Sequence, residues 1–124
     1  MSEVLLIVDD DDWSCWQIKE FLRDVGYDMH FAQSGGEAFD LFLKYRPLHI
    51  MIDINIDSND GLWLAHAILG LDYKSVIYLT SDQPLAKMRA ERYQLAVADI
   101  LEKPLDFDRL KTMLKPDKRV ESSW

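Results

Sequence analysis

Short apolar runs alternate with longer segments of helical period along the whole chain, and this alternation restricts the fold more than any other feature. Val4-Leu5-Leu6-Ile7-Val8, His49-Ile50-Met51-Ile52 and Val76-Ile77-Tyr78-Leu79 are short and rich in β-branched residues. Such runs read as strands buried on both faces, as in a parallel sheet. Tyr27 to Ala32 is a weaker strand, and Asp99-Ile100-Leu101 a short last one. Between them, Asp12 to Val25 sets Ile18, Phe21, Leu22 and Val25 on one side, and Gly26 stops it. Glu37 to Tyr45 groups Ala38, Leu41 and Phe42 and ends before Pro47. Leu62 to Leu69 follows Asp60-Gly61. Pro84 to Tyr93 opens with proline in the first turn, where its missing N–H is harmless. Asp106 to Leu114 ends before Pro116.

The order βαβαβαβαβα implies a parallel sheet covered on both faces. The predicted fold is α/β: a flavodoxin-like, doubly wound, five-stranded parallel sheet with helices on both faces. Its 124 residues suit one domain, expected over 1–116 with a C-terminal tail at 117–124 and no output domain. In such sheets ligands sit outside the carboxyl ends of the strands.

Composition narrows the partners. With 22 acidic against 14 basic residues the formal charge is −8, which gives no attraction to nucleic acid or anionic lipid. No apolar run is long enough to span a bilayer, and Met1-Ser2-Glu3 lacks the basic start of a signal peptide. The single cysteine, Cys15, allows no internal disulfide. A cytoplasmic location is the expectation.

The carboxyl ends of the strands carry the chemistry. The first ends in Asp9-Asp10, the third in Asp53 with Asn55 beyond it, and the fourth in Thr80-Ser81. Lys103-Pro104 follows the fifth. Each piece alone is common: a strand-terminal aspartate often only caps a helix, as Asp11 or Asp12 would, and Thr-Ser is ordinary turn chemistry. Together they bring three carboxylates, a hydroxyl and a lysine to one rim. Two like charges ~4 Å apart cost about 4 kcal/mol at an effective dielectric of 20. Such a cluster raises its pKa values or binds a cation. Mg²⁺ suits oxygen ligands and leaves positions for a phosphate oxygen. A carboxylate can itself be a nucleophile and form an aspartyl phosphate, with Lys103 and Thr80 to answer the phosphoryl charge.

Over residues 3 to 114 the chain resembles response-regulator receiver domains of two-component signalling. The carrying residues are Leu6-Ile7-Val8-Asp9-Asp10-Asp11, Val25-Gly26-Tyr27, Asp53 with Asp60-Gly61, Leu79-Thr80-Ser81 and Lys103-Pro104. The resemblance implies that Asp53 is the phosphoacceptor, served by a histidine kinase or histidine phosphotransfer protein. It implies Mg²⁺ held by Asp9, Asp10, Asp53 and the backbone carbonyl of Asn55, with Thr80 and Lys103 on the phosphoryl group. It also implies a cis Lys103-Pro104 bond, and signalling through a partner protein rather than turnover as an enzyme, beyond slow autodephosphorylation. Three positions depart from the family. Asp57 stands where proline is common, and Ala96-Val97 replaces Gly-Ala. Ile100 occupies the place of an aromatic ring that normally turns inward when the threonine moves toward the phosphate.

Competing readings are a pseudo-receiver that works without phosphorylation, an aspartyl phosphatase and a flavin-binding protein. Retained Asp9, Asp10, Asp53, Thr80 and Lys103 weigh against the first, while Ile100 and Asp57 favour it. Asn55 lies where a phosphatase needs a second acid. No Ser/Thr/Gly-rich loop follows the first strand to hold a flavin phosphate. Trp13, Trp16 and Glu20 share a helical face turned away from Ile18 and Leu22, so the tryptophans are expected at the surface, as is Trp63. By the resemblance, the first helix is where the phosphodonor docks. His30, His49 and His66 lack metal-ligand spacing and read as structural. Cys15 reads as partly buried and inert, and Ser14 and Ser75 as having no role.

Overall fold

A computed structural model of the protein describes residues 3–72, 74–84 and 95–114. Five strands form one sheet: β1 (Val4–Val8), β2 (Asp28–Ala32), β3 (His49–Asp53), β4 (Val76–Ser81) and β5 (Asp99–Glu102). All neighbours are parallel, in the order β2-β1-β3-β4-β5. This is the doubly wound arrangement that the alternation predicts, with its topological switch between β1 and β3.

Among the described residues the helices are α1 (Asp12–Leu22), α2 (Gly35–Tyr45), a single turn α3 (Ile56–Asn59), α4 (Gly61–Leu71) and α5 (Phe107–Leu114). Alternate strand residues face opposite sides, and the core divides accordingly. Leu6, Val8, Ile50, Ile52, Ile77, Leu79 and Ile100 pack with Ala38 and Phe42 of α2 and Leu64, Ala65 and Ile68 of α4. Leu5, Ile7, Met51, Tyr78 and Leu101 pack with Ile18 and Leu22 of α1 and Leu110 and Leu114 of α5. Burying both faces explains why these strands are almost continuously apolar.

Helix boundaries shift where side chains bind the backbone. α1 ends at Leu22 rather than Val25: the Val25 N–H donates to the Leu22 carbonyl, and Gly26 turns the chain at φ 99°. α2 starts at Gly35, two residues before Glu37. There Ser34 Oγ accepts from the Glu37 N–H at 3.1 Å, and Glu37 Oε1 accepts from the Gln33 N–H at 2.9 Å, a relative of the capping box. α4 runs past the expected Leu62–Leu69 at both ends, and α3 was not expected at all. The predicted helix over Pro84–Tyr93 lies outside the described residues except for Pro84, and the predicted tail at 117–124 lies outside them altogether.

Gly61 is required by close approach. A Cβ there would lie 2.4 Å from the Asp53 carbonyl oxygen and 2.6 Å from Ile54 Cα. The first residue of α4 thus rests on the backbone that carries Asp53. Gly61→Ala should lower unfolding stability by about 2–4 kcal/mol, read as a fall in the urea midpoint. A midpoint unchanged from wild type would contradict this packing.

Candidate functional site

The site follows from strand alternation carried one residue past the core. Ile7, Met51, Tyr78 and Leu101 face α1 and α5, so Asp9, Asp53, Thr80 and Lys103, each two residues further along, share that side. Thr80 is the register partner of Asp53 on the adjacent strand. Asp9, Asp53 and Thr80 are all buried, at 2%, 7% and 3% exposure. A buried polar trio at the strand ends needs partners, because unpaired polar groups away from water are costly.

Lys103 supplies the partner. Its ammonium lies 2.8 Å from Asp9 Oδ2 and 3.0 Å from Asp53 Oδ2, while its backbone N–H donates to the Ser81 carbonyl. The Lys103-Pro104 bond is cis, as expected. The other carboxylate oxygens take backbone donors: Asp11 N–H to Asp9 Oδ1 and Asn55 N–H to Asp53 Oδ1, both at 2.9 Å. Asp10 is exposed beside them. Asp9, Asp10 and Asp53 each offer an oxygen within 4.8 Å of the others. This all-oxygen donor set of three carboxylates fits a hard divalent cation. No other such group occurs among the described residues.

Titration behaviour follows from this geometry. Burial pushes the Asp9 carboxyl above its usual range, against the pull of the Lys103 bond and the Asp11 amide. Burial works to lower the Lys103 ammonium, but its bonds to Asp9 and Asp53 outweigh that and hold it above its usual value. Burial, then the charges of Asp9, Asp12 and Asp11, push the half-buried Cys15 thiol up to about 11. A thiol shifted this way keeps little thiolate at neutral pH, the form in which cysteine reacts.

Three further residues join the site: Ser14, read from the sequence as having no role, Asp82, which sequence reasoning passed over, and Asp57, noted there only as a departure from the family. Ser14 Oγ lies 3.5 Å from the Lys103 ammonium and donates to Asp11 Oδ2. Asp82 accepts from the Asn55 side-chain amide at 3.1 Å. Asp57 reaches across to Gly35 at the start of α2. Ser14 had a legible signal, since it lies three residues after the N-cap Asp11 on the turn that faces the strand ends. The bonds of Asp82 and Asp57 join segments distant in sequence and leave none.

The exposed tryptophans are where helical periodicity puts them. Trp13 and Trp16 are 60% and 51% exposed and stack at 5.1 Å between ring centroids. Trp63 is exposed on α4. The histidines are dispersed: His30 stacks on Tyr45, His49 lies near Tyr27 and Tyr78, and His66 is exposed. Ile100 is buried in the α2 and α4 side of the core, paired in register with Leu79.

Lys103 therefore controls the electrostatics of the rim. Because its folded pKa is raised, its contribution to stability is complete below its ordinary pKa and lost only as pH rises through the alkaline range. Lys103→Met should cost about 3 kcal/mol at pH 7 by leaving buried carboxylates unpaired. Burial already raises the Asp9 carboxyl, and without the ammonium it should protonate more readily folded than unfolded, so the deficit should shrink as pH falls from 7 to 5. Urea melts at both pH values measure it, and a pH-independent deficit would contradict the ion-pair assignment.

Comparison with known proteins agrees with this architecture. Residues 5–115 match the family described as response regulator receiver domain. The chain is 28% identical over 117 residues to the transcriptional regulatory protein CrdR of Helicobacter pylori, covering 93% of this chain and 54% of that protein. It is 26% identical over 115 residues to sporulation initiation phosphotransferase F of Bacillus subtilis, covering 93% of each. Several of the transcriptional regulators it resembles are longer still, and the chain spans about a quarter of ZraR from Escherichia coli (25%). In fold it matches a response regulator protein from Burkholderia pseudomallei with TM-score 0.81 at 18% identity, over 98% of this chain and 72% of that one. The match of nearly the whole chain to the family shows that this protein belongs to the response regulator receiver domain family.

Proposed function

We propose that the chain accepts a phosphoryl group on Asp53 in a Mg²⁺-dependent reaction, from a histidine kinase or a histidine phosphotransfer protein, and signals through a partner protein. The observation that carries this is the Lys103 ammonium bridging Asp9 and Asp53 beside Thr80. The Burkholderia protein of the same fold supports it, since it holds a phosphorylated aspartic acid and a calcium ion.

In this reading a carboxylate oxygen of Asp53 attacks phosphorus while the bond to the donor's histidine nitrogen breaks. The electron pair leaves on the imidazole, and a P–N bond is replaced by a P–O bond. Asp9, Asp10, Asp53 and the Asn55 carbonyl would hold Mg²⁺, which supplies positive charge to the transferring oxygens. Lys103 stands already 3.0 Å from the acceptor and can turn its charge to a phosphoryl oxygen. The Thr80 hydroxyl, one strand away in register, can donate to another. Catalysis is then positioning plus electrostatics, as phosphoryl transfer requires.

The stacked Trp13 and Trp16 give α1 an aromatic face next to this rim, suited to a docking protein. A groove of about 380 Å³ lined by Trp13, Ser14, Gln17, Asp82, Lys103 and Phe107, among others, opens beside it. The donor histidine has to reach Asp53 past this wall.

Intact mass after acetyl phosphate treatment tests the acceptor. Wild type should gain one phosphoryl group only with Mg²⁺, Asp53→Asn should gain none, and Asp10→Asn should gain sharply less. A gain that persists in Asp53→Asn puts the acceptor elsewhere. Trp16→Ala should stay within about 0.5 kcal/mol of wild type, keep its reaction with acetyl phosphate and slow transfer from the donor protein. Equal transfer rates from the donor would remove α1 from the docking face.

A further inference from the structure

We infer that Asp57 is a positioning residue for the cation and phosphoryl site, fixing the turn that carries Asn55 by bonding the first residue of α2. The inference rests on the proposed function above. Asp57 adopts φ 48°, a left-handed conformation that aspartate tolerates better than most residues but that still costs energy. Its Oδ2 accepts from the Gly35 N–H at 2.6 Å.

The donor it takes is a particular one. The first N–H groups of a helix have no partner within it. At α2, Ser34 Oγ takes that of Glu37 and the Ser34 carbonyl takes that of Ala38. Gly35 gives its N–H to Asp57, at the positive end of an 11-residue helix, where a carboxylate is favoured. A Cβ on Gly35 would lie 3.2 Å from Asp57 Oδ2, so the carboxylate fits because residue 35 has no side chain.

The turn between β3 and α4 is then pinned from several sides, one of them the Asn55 side-chain amide on Asp82. Ile54 N–H donates to the Thr80 carbonyl and Asn55 N–H to Asp53 Oδ1, both at 2.9 Å. Asp57 ties the far side to α2, which Ala38 and Phe42 anchor in the core. Asn55, whose carbonyl is the proposed ligand, lies between these ties. Proline, common at this position in the family, requires φ near −65° and cannot adopt the φ found here. This chain therefore fixes the turn by a hydrogen bond instead of a ring.

Mg²⁺ binding to the 124-residue chain, measured by calorimetry without any phosphodonor, tests the inference. Asp57→Ala should weaken binding about tenfold, the usual effect of removing an outer-shell partner. Gly35→Pro removes the donor instead. Proline suits the first helical position, and Ser34, at φ −144° and ψ 161°, already has the extended backbone that precedes proline. It should weaken Mg²⁺ binding equally, and the double variant no further, because both remove one interaction. Asp57→Asn, which keeps an acceptor and tolerates the left-handed conformation, should stay near wild type. If Asp57→Ala folds poorly by circular dichroism, Gly35→Pro carries the test. Binding within twofold of wild type in the folded single variants, or additive losses in the double variant, overturns the positioning role alone. A wild-type chain that binds no Mg²⁺ overturns the cation site and this inference with it.

Discussion

The Lys103 ammonium between Asp9 and Asp53 is the interaction on which the site depends. Three aspartates at the ends of β1 and β3 repel one another, and burial of two of them raises the cost. One lysine, arriving from the adjacent end of β5, offsets part of that repulsion with bonds of 2.8 and 3.0 Å. The cluster keeps an excess of negative charge and oxygen donors, which is the condition for taking a divalent cation. In the proposed function the same lysine would meet the charge of an incoming phosphoryl group. Stability and the proposed chemistry therefore draw on the same few atoms.

Sheet geometry divides the molecule into two functional faces. Asp53 and Thr80 side with α1 and α5, where the aromatic face of α1 meets the rim. Ile100 sides with α2 and α4, packed into the core beside its register partner Leu79. An aromatic ring at position 100 could swing between surface and interior, whereas a β-branched side chain in a packed core has little such freedom. The Asp57 tie offers a different connection from the acceptor to that face, running through the backbone of the turn to the start of α2. A receiver built this way would sense its phosphoryl group through loop and helix-end contacts more than through a rotating ring.

Much of this was legible in the sequence because it rests on periodicity. The strand runs gave the parallel sheet, and carrying the alternation past Val8, Ile52 and Leu79 to the strand ends brings Asp9, Asp53 and Thr80 together. Lys103 followed from its place after the last strand. Trp13 and Trp16 were readable as exposed because Ile18 and Leu22 already fill the inner face of α1. The helix ends were less legible. Ser34 and Glu37 capture the backbone ahead of the apolar pattern, and α3 is a single turn with no period to detect. The bonds of Asp57 to Gly35 and of Asp82 to Asn55 were not readable, since each joins segments distant in sequence and depends on how the strands are arranged. Ser14 was passed over because a serine inside a helix is usually solvated, whereas here the first turn faces Lys103.

The most direct measurement is to locate the phosphoryl group chemically. Borohydride reduces an aspartyl phosphate to homoserine, which a peptide map then reads at a single position. After phosphorylation by acetyl phosphate with Mg²⁺, homoserine is expected at position 53 and nowhere else, and it should be absent when Mg²⁺ is removed. Homoserine at position 9 or 10, or a phosphorylated chain with none at position 53, would contradict the assignment of Asp53 as the acceptor.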